Sequence, residues 1–578
     1  MQDLTINSQK SPLGRWIHRF VPGLPSLMNY RRAHFRPDLI AGASVAAVCL
    51  PVGIAYAAIA GVHPVYGIYS ALFPLFVYAL FGSSRQLITG PDAATCLMVA
   101  AAIGPLAAGD PQRYMELMIS LTLITGVVNI ILGLLRFGFL ANFLSHPILI
   151  GYLNGVALII LAGQLSKLFG YQANTGKFFG KLAEFVYKIG DSHLPTLLIG
   201  GTALVFLLGM KRWAPRWPAA LIAATLSIVV VSLLQLQTKG VAVLGAVPSG
   251  LPSLHLPVFD PSRMRILVHD AFGIALISFI SGILTAKSFA RRNRYDINAN
   301  QELIAFGICN IVTGLVQGFP VTGADSRTAV NDAMGGKTQM VGIVAGGVML
   351  LFLLFLTSPL ALLPNSALAA IIAVASLGLI DLTSLRELWT ASHRELTFSL
   401  VTTAGVLYFD VLPAVVFAVM LTFFWLLLAA SQPRDAVLGQ VPGINGFHSI
   451  ADYPNAQSIP GLLLYRFEAN VLFFNVDYFK ERLLTEIDKA ATPVEWVVVD
   501  ASPASLIDIT ALHKLIDLHD ELRTRNITLR YARVRQSLWR CFDASWVKSH
   551  VRYDNNTQYY TLGAAVEAFH QRNKQPIG

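Results

Sequence analysis

One seven-residue pattern, Thr-Gly-x-Asp-x-x-Thr, occurs twice in the chain, at 89–95 and at 322–328. Each copy carries a carboxylate, Asp92 or Asp325, and the second copy also carries a cation, Arg327. Apolar, helix-compatible sequence follows each copy, so both acids stand at predicted helix starts. Helix N-termini offer unpaired backbone N–H groups and a partial positive charge, which bind anions. The repeat therefore predicts an anion site built from two helix starts.

The charges at this site nearly cancel when both acids are ionised. Two helix starts contribute roughly +0.5 each and Arg327 contributes a full charge, against two carboxylates. Protonation of either Asp92 or Asp325 leaves a net charge of about +1, which attracts an anion, so proton and anion uptake would favour each other. Three simpler readings stay open: the acids cap their helices, Arg327 only neutralises them, or the repeat is coincidental.

The elements that carry these residues have the composition of a membrane protein. Hydrophobic residues make up 54% of the 578-residue chain and charged residues 13%, unlike an ordinary soluble domain. A span needs about 20 apolar residues, or fewer where a half-helix starts inside the protein. The 233-residue offset between the motif copies lays 38–60 over 271–293, as inverted repeats would. We predict fourteen spans, near 38–60, 64–82, 91–106, 114–135, 140–168, 193–211, 216–236, 267–290, 299–317, 324–336, 338–357, 365–381, 394–409 and 411–430.

The chain divides into regions of different composition. We predict a cytoplasmic N-terminal segment at 1–37, a transmembrane domain at 38–430, a linker and start of the tail at 431–460, and a soluble domain at 461–578. Arginine-rich short loops and an even number of spans predict that both termini are cytoplasmic. The lysines of the loop at 169–192 oppose this rule.

The tail shows strand and helix patterns. Runs rich in β-branched and aromatic residues at 462–467, 496–499 and 527–531 predict strands. A helix is predicted after Asp508, because apolar residues recur on one face from Ala511 onwards. Strands alternating with a helix indicate a small α/β domain.

Several functional classes lack their usual sequence signals. The chain has no Gly-x-x-x-x-Gly-Lys-Ser/Thr loop, so transport would be secondary rather than ATP-driven. Its four cysteines have no metal-ligand spacing, and we expect no metal and no cofactor. The net charge of +10 fits loops beside anionic lipid in the bilayer better than nucleic-acid binding.

Further motifs occur in both halves and in the tail, at 51–57, 64–70, 81–85, 90–91, 296–303, 320–323, 326–331, 336–339, 499–502 and 507–511. Through them nearly the whole chain resembles the SulP/SLC26 family of anion transporters, and its tail resembles the STAS domain of that family. The resemblance implies a carrier rather than an enzyme, with fourteen segments in a 7+7 inverted repeat. It also implies a core domain that moves against a gate domain, and a homodimer.

The resemblance adds residues to the predicted substrate site. It implies that the Ser326 hydroxyl contacts substrate and that the Tyr56 ring forms a wall, unless that ring only packs. Many proton-coupled members carry a glutamate where this chain has Ser281, so Asp92 and Asp325 become the coupling candidates. Anion exchange and Na⁺ coupling remain alternatives. The predicted substrate-site residues are Tyr56, Pro91, Asp92, Ala93, Ser281, Asp325, Ser326 and Arg327.

In the tail, the resemblance to bacterial STAS regulators implies a phosphorylated or nucleotide-contacting loop at Ser505, Asp508 and Thr510. Helix capping by the side chains of Asp508 and Thr510 is the simpler reading and the one we favour.

These observations predict a secondary transporter of a small anion in the cytoplasmic membrane. Sulfate is the leading substrate because the resemblance points to it, and dicarboxylates and bicarbonate are alternatives. A protein of another class would be a membrane-anchored sensor or scaffold whose STAS domain binds a soluble partner. A nucleobase carrier is disfavoured, because a neutral base does not call for Arg327 between two helix starts.

Overall fold

The computed structural model describes residues 21–142, 146–173, 177–214, 217–245, 248–257, 261–409, 411–536, 538 and 558–574. Most of the predicted N-terminal segment therefore lies outside the described residues. The chain forms two compact units, Met1–Val419 and Met420–Gly578. The first unit is almost entirely helical, and the second contains a mixed sheet with helices.

The helices of the first unit follow the predicted spans. In chain order they are α1 (Gly23–Met28), α2 (Phe35–Ile59), α3 (Pro64–Phe81), α4 (Ala93–Ala107), α5 (Pro111–Leu134), α6 (His146–Phe169), α7 (Phe178–Lys188), α8 (Leu194–Trp213), α9 (Ala219–Leu233), α10 (Pro261–Arg292), α11 (Ala299–Leu315), α12 (Asp325–Ala333), α13 (Met340–Phe355), α14 (Asn365–Leu377), α15 (Leu382–Ala391), α16 (His393–Phe409) and α17 (Val411–Ser431), which ends in the second unit. Each of the fourteen predicted spans overlaps a helix, while α1, α7 and α15 are additional. Within the described residues, seven helices are long and apolar enough to cross a membrane, and α4, α9 and α13 are shorter apolar helices.

Local sequence explains several of these helix starts. Pro64 and Pro111 occupy the first position of α3 and α5, where the missing N–H group costs no hydrogen bond. Asp110 accepts from the backbone N–H groups of Gln112 and Arg113, and so caps α5. Such capping satisfies N–H groups that have no partner within the helix.

The helix α7 lies in the loop whose lysines opposed the predicted orientation. Lys188 forms an ion pair of 2.8 Å with Glu184 and donates to the carbonyl oxygen of Gln172 at 2.9 Å. This lysine is therefore bound within the protein, which accounts for its position in a loop that the charge rule assigns to the other side.

The membrane helices form two groups of mutual neighbours. We call α2, α3, α4, α5, α10, α11, α12 and α13 the core bundle, and α6, α8, α9, α14 and α16 the gate bundle. In the core bundle, α5 crosses α11 at Gly126 and Gly307, where a Cβ on either glycine would lie 2.7 Å from the carbonyl oxygen of the other. The bundles meet where α2 contacts α9 and α14, and where α4 contacts α6.

The second unit is a six-stranded mixed sheet. Its strands are β3 (Asp435–Gln440), β4 (Phe447–Ser449), β5 (Leu462–Phe467), β6 (Trp496–Asp500), β7 (Thr528–Ala532) and β8 (Gln558–Tyr559), in the order β4-β3-β5-β6-β7-β8, with β5 to β8 parallel. Its helices are α18 (Val476–Asp488), α19 (Ile509–Thr524) and α20 (Leu562–Lys574). Alternate residues of β5 and β6 face α18 and α19 on one side of the sheet and α20 on the other.

The second unit contains the strands and the helix predicted for the tail. The predicted strands coincide with β5, β6 and β7, and α19 follows Asp508 with Ala511 buried, so these predictions are confirmed. The segment 431–460 differs from a simple linker, because it supplies β3 and β4 to the sheet. All of its prolines and glycines except Gly439 fall outside those strands, and this turn-rich composition concealed the two short strands in the sequence pattern.

A buried carboxylate joins three strand ends at the carboxyl edge of this sheet. Asp500, at the end of β6, accepts from Arg466 Nε at 2.9 Å and from Arg533 Nε at 2.9 Å. Burial alone would raise the pKa of the Asp500 carboxyl, but hydrogen bonds from Arg533 and Arg466 hold that pKa below its ordinary value. The ionised form of Asp500 therefore stabilises the folded domain.

We expect Asp500→Asn to lower the free energy of unfolding of the second unit by about 2–3 kcal/mol at neutral pH, less than for a fully buried pair because both arginines are partly exposed. Since the folded-state pKa is lowered, this contribution is present above the ordinary carboxyl pKa and is lost as the pH falls below it. Hydrogen-exchange protection of β6 measures the effect. Glu521→Gln is the control, because the Glu521–Lys480 pair is partly exposed. An equal loss in both variants would contradict a special role for Asp500.

Candidate anion-binding site

Two short strands bring the motif copies together. The strand β1 (Thr89–Gly90) pairs antiparallel with β2 (Thr322–Gly323), with Thr89 opposite Gly323 and Gly90 opposite Thr322. A further bond joins the Ala324 N–H to the Ile88 carbonyl at 2.9 Å. Since α4 and α12 begin within three residues of these strands, both helix starts flank one strand pair in the core bundle.

The two acids have different partners. Asp92 is the N-cap residue of α4 and accepts from the Thr95 N–H at 2.6 Å. Asp325 is the first residue of α12 and accepts a hydrogen bond from the Thr285 hydroxyl of α10. The capping reading therefore holds for Asp92, whereas the Asp325 side chain is bound by a neighbouring helix. Each acid lies two residues after its strand, at the start of the helix that follows.

Arg327 is buried without a carboxylate partner. Its side chain is 1% exposed, and its Nη2 donates to the carbonyl oxygen of Pro91. It forms no ion pair within the described part of the chain, and its Nε and Nη1 atoms have no hydrogen-bond partner there. A Cβ at Gly90 would lie 2.5 Å from Nη1, so a larger residue there would require the guanidinium to shift. The reading in which Arg327 merely forms a buried pair with an acid is thus not supported.

The remaining predicted residues surround this centre. Pro91 and Ala93 are buried beside Asp92, and Ser326 is exposed at the second position of α12. The Tyr56 ring is nearly buried, and its hydroxyl interacts with the charges of Arg327, Asp92 and Asp325. The Ser281 carbonyl accepts from the Thr285 hydroxyl at 3.0 Å, which links Ser281 to Asp325 through one residue.

The sequence reasoning missed two residues that shape the site. Thr285, which binds Asp325, lies one helical turn after Ser281, so helical spacing could have identified it. Glu302 is fully buried and accepts from the Tyr78 hydroxyl at 2.6 Å and from the N–H and hydroxyl groups of Ser83 at 2.8 and 2.7 Å. It fixes the segment that leads into β1. Glu302 lies in the 296–303 motif, which marked the residue without indicating a role.

The regulatory candidates of the second unit lie at the start of α19, with Ser505 and Asp508 before the helix and Thr510 in its first turn. Asp508 is the N-cap residue of α19, accepting from the Ala511 N–H at 2.8 Å, and it also accepts from the Phe473 N–H at 2.7 Å. The N–H and hydroxyl groups of Ser505 donate to Asn470 Oδ1 at 2.7 and 3.0 Å. Thr510 is exposed. Asp508 therefore caps the helix as favoured, while Thr510 makes no capping bond.

The membrane site is suited to an anion. Its unpartnered groups include two nitrogen atoms of a buried arginine, which carry three N–H donors, next to the positive ends of two helices. The structure, within its described ranges, contains no group of three His, Cys, Asp or Glu side chains that could hold a metal ion. Donors fixed in a buried position bind oxyanions strongly, because they need no reorganisation.

Comparisons with known proteins agree with this chemistry. A sequence profile described as the sulfate permease family matches residues 35–402, and one described as the STAS domain matches residues 453–560. The chain is 40% identical to a "probable sulfate transporter" of Mycobacterium tuberculosis, over 96% of this chain and 98% of that protein. It is 32% identical to "probable sulfate transporter 4.2" of Arabidopsis thaliana, over 89% of this chain and 78% of that protein.

Solved structures show the same architecture. The murine Solute Carrier 26 family member A9 anion transporter matches with a TM-score of 0.89 at 22% identity, covering 97% of this chain and 95% of that one. The transmembrane domain of a cyanobacterial bicarbonate transporter matches with a TM-score of 0.59 at 23% identity, covering 68% of this chain and 98% of that one. The predicted fold of an inverted-repeat membrane domain with a STAS domain is thereby confirmed. On its profile match and its relatives, this chain belongs to the sulfate permease family of membrane transporters.

Proposed function

We propose that this protein carries sulfate across the cytoplasmic membrane by secondary active transport. The observation that carries the proposal is the buried Arg327, which has two unpartnered nitrogen atoms between the starts of α4 and α12. A tetrahedral oxyanion presents oxygen pairs that suit the forked geometry of a guanidinium. The names of the relatives in Mycobacterium tuberculosis and Arabidopsis thaliana support sulfate as the anion.

In this proposal the substrate lies against both helix starts. Arg327 provides the charge, Ser326 a hydroxyl group, and the backbone after Pro91 the N–H groups of α4. Tyr56 forms an aromatic wall, and Ala93 and Ser281 leave space beside the two acids. Dicarboxylate or bicarbonate transport would use the same donors, and competition with sulfate distinguishes them.

We further propose that transport is coupled to protons through Asp92 or Asp325. With both acids ionised, the two half-charges of the helix starts and the charge of Arg327 roughly cancel them. A proton on either acid restores a net positive charge, so proton binding and anion binding favour each other. Because this chain has Ser281 where many proton-coupled members of the family carry a glutamate, Asp92 and Asp325 are the coupling candidates. Anion exchange and Na⁺ symport are the competing schemes.

The assembly and orientation are also part of the proposal. Positive charges in short loops favour cytoplasmic N- and C-termini, and family resemblance favours a homodimer. Ser505, Asp508 and Thr510 lie within six residues at the start of α19, and we propose that this segment is where the STAS domain is regulated or contacts a soluble partner.

Uptake of radiolabelled sulfate into proteoliposomes tests the function. We expect saturable uptake that excess unlabelled sulfate abolishes and that an inward proton gradient drives. If no sulfate, dicarboxylate or bicarbonate flux occurs while the second unit captures a soluble partner, the sensor or scaffold alternative is correct and transport is refuted.

Replacing Arg327 with Gln should weaken sulfate binding by about 1–3 kcal/mol, because a charge-assisted hydrogen bond is lost. Equilibrium binding to the purified protein measures this change. Arg292→Gln is the matched control, since the Arg292 side chain is 73% exposed and pairs with Asp332, and it should change binding little. Unchanged affinity in a folded Arg327→Gln protein would show that Arg327 is structural.

A double variant distinguishes the effect of the Arg327 charge on the two acids from a direct contact between Arg327 and the anion. If Arg327 mainly offsets the acids, Asp325→Asn should restore binding in the Arg327→Gln background. We expect only partial recovery: removing one negative charge favours the anion, but the donors of the guanidinium, which donates to the Pro91 carbonyl rather than to a carboxylate, are not replaced.

Coupling is tested by sulfate-driven proton flux in vesicles. We expect Asp92→Asn or Asp325→Asn to reduce the protons moved per sulfate, because the replaced acid can no longer exchange a proton. Asp110→Asn is the control, since Asp110 caps α5 outside the site. If the wild type moves no protons with sulfate, or both site variants keep the full coupled flux, exchange or Na⁺ coupling replaces this scheme.

A further inference from the structure

One buried hydroxyl group of the gate bundle has no partner among the described residues. Tyr152 lies in α6, and its side chain is 1% exposed. Its hydroxyl has no hydrogen-bond partner in any part of the chain that the structure describes. Leaving a buried hydroxyl unpaired is destabilising, so a bound molecule that accepts a hydrogen bond from it would be stabilised.

The surroundings of Tyr152 indicate what that partner is. The helix α6 contacts α4, whose N-cap residue is Asp92, and Tyr152 belongs to the same buried cluster as Ala93 and Ala94 at the start of α4. The Asp92 side chain already accepts from the Thr95 N–H. On the core side, Arg327 presents its own unpartnered nitrogen atoms. Unsatisfied donors thus occur on both sides of the boundary between the bundles.

We propose that Tyr152 is a substrate-binding residue, whose hydroxyl donates a hydrogen bond to the bound oxyanion from the gate bundle. This inference rests on the proposed function and adds to the predicted site a residue from outside the core bundle. A phenol suits this position because it donates without adding charge, so it leaves the balance between Arg327 and the two acids unchanged.

The position of Tyr152 has a consequence for transport. All the other proposed substrate residues belong to the core bundle, so they keep their contacts with the anion when the bundles move against each other. The bond from Tyr152 crosses between bundles and forms only when α6 lies beside α4. It therefore favours the anion-bound state in which the two bundles are closed around the site.

Tyr152→Phe in the full-length protein tests the proposal, because it removes one oxygen atom and keeps the ring. We expect sulfate binding to weaken about ten-fold and the transport KM to rise similarly, with the maximal rate little changed. Without sulfate the variant should melt at the same temperature as the wild type or higher, because an unpaired buried hydroxyl has been removed. The increase in melting temperature on adding sulfate should be smaller.

Tyr408→Phe is the matched control, since Tyr408 lies in α16 of the gate bundle and is 71% exposed. Unchanged sulfate affinity in Tyr152→Phe, with weakened affinity in Arg327→Gln, would overturn the proposal and leave the proposed function intact. If neither variant alters binding, the proposed site itself fails. Lower stability of Tyr152→Phe without sulfate would show that the hydroxyl has a structural role. Lost proton coupling at unchanged sulfate affinity would show that the hydroxyl acts on Asp92. Either result refutes substrate contact.

Discussion

The antiparallel pairing of β1 with β2 is the constraint on which the membrane domain depends. Within hydrocarbon, every backbone polar group needs a partner inside the protein. Interrupting the chain before α4 and before α12 exposes such groups, and the two interruptions satisfy each other through Thr89, Gly323 and the bond from Ala324 to Ile88. The pairing therefore ties the two helix starts to each other.

Polar side chains from each repeat form hydrogen bonds with the non-helical segment of the other repeat, ahead of α4 or α12. In the segment 83–88, Ser83 donates twice to Glu302, and Asn331 donates to the Gln86 carbonyl at 2.7 Å. In the opposite direction, Ser70 accepts from the Phe319 N–H ahead of β2 at 2.9 Å. Many buried polar residues of the membrane domain are thus engaged in supporting the strand pair, which explains why they need no role in substrate contact.

The same arrangement explains the electrostatic character of the site. Backbone and hydroxyl donors satisfy the two acids, whereas Arg327 donates only to a carbonyl group, so its charge is not cancelled by direct contact. An arginine in this position favours an anion over a neutral solute or a cation. The gate bundle contributes a neutral donor, Tyr152. Its hydroxyl binds the oxyanion when the two bundles close, and it leaves the net charge of the site unchanged.

The sequence by itself determined the elements, and the tertiary structure decided their partners. Apolar spans, the repeated helix starts and the strands of the tail could be predicted because hydrophobic periodicity and capping act over a few residues. The contact from Arg327 to Pro91 joins residues 236 apart, and the contact from Thr285 to Asp325 joins residues 40 apart. The inclusion of 431–460 in the sheet likewise depended on pairing with β5. Such contacts arise from the packing of distant segments, which local patterns do not record.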